Sequence, residues 1–79
     1  MLQNSYLNKM KEQDFYLEVF NWKYNTYLPV NIIGKLSESI VKIECYVFDK
    51  EGNLKEKFET CCFWENIRTR KSQDIVNPL

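Results

Sequence analysis

Residues 40–64 constrain the fold more than any other stretch of the chain. They run Ile40-Val41-Lys42-Ile43-Glu44-Cys45-Tyr46-Val47-Phe48, then Asp49-Lys50-Glu51-Gly52-Asn53, then Leu54 through Trp64. Val41, Ile43, Cys45 and Val47 share one parity. β-branched and aromatic side chains favour pleated backbone, where they pack well. Asp49 can accept hydrogen bonds from the amides that follow it, and Gly52 tolerates a positive φ. The stretch reads as a β-hairpin with a type I turn closed by a left-handed glycine, Asp49 facing Asn53. That register sets Phe48 opposite Leu54, Glu44 opposite Phe58, Cys45 opposite Lys57 and Ile40 opposite Cys62. It also creates a conflict. The apolar row of the first strand and the row Leu54, Phe58, Cys62, Trp64 of the second fall on opposite faces. A one-residue slip or a bulge would reunite them, because the side-chain period is two. Without one, both faces are partly apolar and both need cover.

The flanks add a strand and a helix. Residues 15–24 alternate: Phe15, Leu17 and Val19 on one side, Tyr16, Phe20, Trp22 and Tyr24 on the other, with Glu18 breaking the aromatic row. In residues 3–14, Tyr6, Leu7 and Met10, with Leu2 just before them, recur at helical spacing, with Asn4 or Ser5 as caps. A helix of about three turns is marginal alone and must pack on the sheet. Residues 25–39 are the least readable. Asn25-Thr26 suggests a turn, and Pro29, lacking an amide hydrogen, puts any strand at an edge or starts it afterwards. After Trp64 the chain turns polar. Alternation through Ile67, Thr69 and Lys71 extends the last strand and sets Arg68 and Arg70 side by side. The expected fold class is α+β: a short N-terminal helix packed on an antiparallel sheet of three to four strands. A small SH3-like or OB-like β-barrel is the alternative. Residues 1–79 read as one small domain, with 72–79 as a mobile tail.

Several chemistries lack their residues. There is no histidine, which removes the commonest base and metal ligand. Cys45, Cys61 and Cys62 show no zinc-type spacing and read as reduced, metal-free thiols. Gly34-Lys35 does not complete a phosphate loop, since Pro29 and Leu36 stand where that motif needs glycine and a hydroxyl residue. Glu44 and Glu56 share a face in the turn-defined register, but carboxylates on a strand surface are ordinarily solvated. The expectation is no enzyme, no cofactor and no metal. Eleven basic and eleven acidic residues cancel, which argues against a domain held to nucleic acid mainly through phosphates. No run approaches the roughly 20 apolar residues of a membrane span. The start lacks the pattern of a signal peptide, so the cytoplasm is the expected location.

Two tryptophans, five tyrosines and five phenylalanines are more than one small core absorbs. Apolar surface left over after a single helix has covered one sheet face marks a contact surface. The expected function is protein binding, by a small inhibitor or adaptor of the kind a phage or mobile element carries, or by self-association. The candidate partner-binding residues are Tyr16, Phe20, Trp22, Tyr24, Tyr46 and Phe48, with Arg68 and Arg70 at the rim. A single-stranded nucleic-acid binder using the same aromatics for stacking is one alternative. A structural subunit is another.

Overall fold

The computed structural model describes residues 13–72. They form one five-stranded antiparallel sheet: β1 Phe15–Asn21, β2 Thr26–Lys35, β3 Ile40–Phe48, β4 Leu54–Phe63 and β5 Arg68–Lys71, in the spatial order β4-β3-β2-β1-β5. Among them no helix reaches seven residues; the 3₁₀ segment Trp64–Asn66 links β4 to β5. This overturns the α+β expectation and its count of three to four strands. The expected N-terminal helix, 3–14, lies almost wholly outside the described residues. So does the expected tail beyond Ser72.

The central hairpin forms with the expected turn. The Gly52 N–H donates to Asp49 O at 3.0 Å and Asp49 N–H to Asn53 O at 2.9 Å. The Asp49 carboxylate also accepts from the amides of Glu51 and Asn53. Gly52 takes a φ of 85°, where a Cβ would be strained. The register beyond the turn differs from the simple count. Phe48 faces Leu54, but Val47 faces Glu56, so Lys55 is an extra residue in β4. From there Cys45 faces Phe58, Val41 faces Cys62, Glu44 faces Glu59 and Ile40 faces Phe63. One bulged residue returns Phe58 and Cys62 to the face of Val41, Ile43, Cys45 and Val47, and removes the conflict between the two rows.

Residues 25–39 supply a central strand, contrary to the expectation of an edge. β2 pairs with β1 on one side and β3 on the other. Pro29 faces Glu18 across the β1 ladder, and pairing with β3 begins one residue later, at Val30↔Cys45. The missing amide hydrogen is thus placed where the second ladder has not started. A second bulge, between Ile32 and Gly34, lets β2 continue to Lys35. β1 ends earlier than expected, at Asn21. Trp22 to Asn25 form the β1–β2 turn, in which Tyr24 N–H donates to Asn21 Oδ1 at 3.1 Å and Asn25 takes a φ of 54°.

The last strand is not an extension of β4. The chain leaves β4 at one edge of the sheet and enters β5 at the other, beside β1. In a flat sheet those edges are roughly 19 Å apart. One 3₁₀ turn with an extended residue on either side spans roughly 13 Å. The sheet must therefore curl, and the connector is pinned by Trp64 N–H to Ser39 O at 2.7 Å and Ile67 N–H to Trp64 O at 3.2 Å. The curl does not close: β4 and β5 do not pair, so the barrel alternative also fails.

The core lies inside the curl. Val19, Leu28, Val30, Val41, Ile43, Cys45 and Val47 form it, with Leu17, Tyr24, Phe58, Cys62 and Ile67 packed against them. Curling lets one sheet supply both sides of a core. Among the described residues no helix is long and apolar enough to cross a membrane.

Candidate binding surface

The outer face of the sheet is polar where its residues are buried. Glu18 is only 3 % exposed. It is held by Arg68, whose Nε donates to Oε2, by Arg70 at 3.5 Å, and by the Tyr16 hydroxyl donating to Oε1 at 3.4 Å. The β1–β5 register explains the cluster: Glu18 faces Arg68 and Tyr16 faces Arg70. The Arg68 guanidinium also lies over the Tyr27 ring, 3.4 Å from its centroid. A second network runs across β2, β3 and β4. Asn31 Nδ2 donates to the Tyr46 hydroxyl at 2.8 Å, which donates to Glu44 Oε1 at 2.8 Å, with Lys57 3.8 Å from Glu44. Glu18 and Tyr46 thus have the partners that burial demands. Glu44 and Glu56 do not share a face, because the bulge at Lys55 separates them.

Exposed aromatic rings gather around the β1–β2 turn and the end of β4. Trp22 is 85 % exposed at the tip of the β1–β2 turn. Its ring meets Phe20 edge-on at 4.7 Å, and Phe20 meets Tyr27 edge-on at 5.4 Å. Such T-shaped pairs are favoured by the ring quadrupoles and stiffen the cluster. Beside them an open hollow of about 750 Å³ lies between the end of β1 and the end of β4. Buried Ile43 and Cys45 line it, as do exposed Trp22, Tyr27, Cys61 and Phe63. Phe63 and Trp64 are both more than half exposed. Hollows of a few hundred Å³ with mostly apolar walls are the ordinary form of a ligand site.

The candidate residues divide. Phe20 and Trp22 come together at the hollow, and Arg68 joins them through Tyr27. Tyr24 instead turns to the core side, stacks on Phe58 at 6.4 Å and donates its hydroxyl to Glu56. That bond and partial burial raise the Tyr24 pKa. Tyr46 is 2 % exposed and forms part of the fold. Tyr16 and Arg70 sit at Glu18, and Phe48 stands half-buried at the hairpin end. Sequence reasoning missed Tyr27, which the Asn25 turn folds back opposite Phe20. It also missed Phe63, whose adjacency to Trp64 just before a polar stretch was the available signal.

The cysteines divide as well. Burial, then the nearby Cys62, pushes the Cys45 thiol up to about 11, and burial also raises Cys62. A raised thiol is a poor nucleophile at neutral pH. Cys61 is exposed on the opposite face of β4. Among the described residues no three Cys, Asp or Glu side chains come together as a metal site. Comparison with protein-family models, with curated proteins and with solved structures finds no match.

Proposed function

We propose that this chain is a non-catalytic binding module that grips a segment of a partner protein in the aromatic hollow. The observation that carries the reading is Trp22: a large ring, 85 % exposed, held edge-on to Phe20 beside a hollow lined by Ile43, Tyr27 and Phe63. Exposed tryptophan and tyrosine at the mouth of an apolar hollow have the composition of interface anchors. Glu18 offsets one of the two positive charges that Arg68 and Arg70 bring beside it. An inhibitor or adaptor role, inside a cell, fits such a surface.

The stacking of Arg68 on Tyr27, next to Phe20, favours one second reading, a single-stranded nucleic-acid binder. One pair of assays separates the two. The chain is used as bait in lysate treated with nuclease, and in parallel titrated with single-stranded oligonucleotides at two salt concentrations. A protein captured by the wild type and lost with Trp22→Ala supports the first reading. Tight oligonucleotide binding that falls steeply with salt replaces it with the second. Absence of both in these assays removes the hollow as a macromolecular contact.

A further inference from the structure

Among the described residues no strand pairs with the outer edge of β4, and its charge pattern selects an occupant. Among the described residues β4 has a strand on one side only, although it is ten residues long. The other edge, β5, is four residues long and guarded by Arg68, Arg70 and Lys71. Short, charged edges resist pairing, whereas long ones invite it. We propose that β4 pairs antiparallel with β4 of a second copy of this chain, about a twofold axis through Phe58, giving a continuous ten-stranded sheet.

The sequence of β4 admits this register and rejects its neighbours. A twofold axis perpendicular to the sheet makes the contact isologous. Centred on Phe58, it sets Phe58 beside its own copy on the core face and Glu56 opposite Thr60 of the partner. On the outer face Lys57 meets Glu59 of the partner, twice. Shifting the axis by one residue places Lys57 on Lys57 or Glu59 on Glu59. Like charges directly opposite are unfavourable across strands, and opposite charges favourable. Lys57 and Glu59 already lie on the same outer face, near Glu44 at 3.8 Å and Lys42 at 3.2 Å. Pairing would therefore join two existing ion pairs into one row of alternating charge. The bulge at Lys55 ends the regular pairing on one side and limits it to residues 56–60.

The test uses charge reversal in the full chain. Wild type is expected to show twice the chain mass in light scattering at micromolar and higher concentrations. Lys57→Glu and Glu59→Lys each convert both contacts to repulsion, and each is expected to weaken self-association about tenfold or more. Each also disturbs its contact with Glu44 or Lys42, so the mixture carries the test. In a one-to-one mixture every contact across the axis is complementary again, and the dimer should return as a heterodimer. Recovery also demonstrates that both variants are folded. A monomeric wild type overturns the proposal. So do single variants that dimerise like wild type, or folded single variants whose mixture stays monomeric.

Discussion

Glu18 and Cys45 carry the largest consequences of single side chains. Glu18 is a carboxylate withdrawn from water between two arginines that are themselves nearly half exposed. The two sides of the pair are therefore unequal. Removing Arg68 leaves a buried charge with a weaker set of partners, whereas removing the carboxylate frees guanidinium groups that water can reach. Arg68→Ala is expected to cost about 2 kcal/mol and Glu18→Gln about 1 kcal/mol, read from urea midpoints at unchanged slope. Equal costs would mean that Arg68 acts mainly through Tyr27. Cys45 makes the fold lose stability at alkaline pH. Its folded pKa of about 11 lies above the ordinary thiol value. Between about pH 9 and that value the unfolded chain has released a proton that the folded chain still holds. Stability is therefore full below about pH 9 and falls as pH rises towards 11. Tyr24, also raised, adds a loss in the same direction at higher pH. Cys45→Ala is expected to flatten the first part of that slope. A thiol reagent at neutral pH should modify Cys61 first, Cys62 more slowly, and Cys45 only on unfolding, as peptide mapping would show.

At the level of elements, the bulge at Lys55 decides which face of β4 meets the core. The turn alone puts Phe58 on the outer face, and one inserted residue moves it beneath Tyr24. Deleting Lys55 removes the extra residue and leaves the pairs beyond it unchanged, Val47 with Glu56 and Cys45 with Phe58. Phe58 and Cys62 then stay on the core face, so the deletion is expected to keep cooperative thermal unfolding. Gly52→Ala also keeps the register and strains one positive φ, at about 1 kcal/mol. A deletion variant that loses cooperative unfolding would show that the bulge itself, and not the pairing beyond it, holds β4 in place. The 3₁₀ turn Trp64–Asn66 is just as local in its effect. It carries the chain between opposite edges of the sheet and so enforces the curl.

For the whole molecule, the curl separates stability from contact. The core is inside, the buried charges are on the outer face, and Trp22 with Phe63 stands at the open side. Trp22→Ala should therefore change stability by no more than about 0.5 kcal/mol. In the same protein it should weaken partner binding by about 2 kcal/mol. Calorimetric unfolding and a binding isotherm on one preparation measure both. A large loss of stability would make Trp22 a packing residue and withdraw it from the contact surface. The β4 edge faces away from β3, so a dimer formed there leaves Trp22 in place in each copy.

Local chemistry was legible in the residues themselves. Asp49 and Gly52 specify their turn because an acceptor side chain and a residue free to take positive φ act within four positions. The strand character of residues 15–21 and 40–48 followed from alternation, and the pairing of Arg68 with Arg70 on one face followed from parity. Three features depended on contacts distant in sequence. A bulge costs little locally, so only the gain of bringing Phe58 and Cys62 to the core selects it. β2 looks poor as a strand around Pro29 because its suitability comes from neighbours on both sides, not from its own residues. The curl was not legible because periodicity reports which side chains need burial, but not what buries them. The short reach from Phe63 to Arg68 bent the sheet onto itself, and that bend placed the core inside and the aromatic hollow at its mouth.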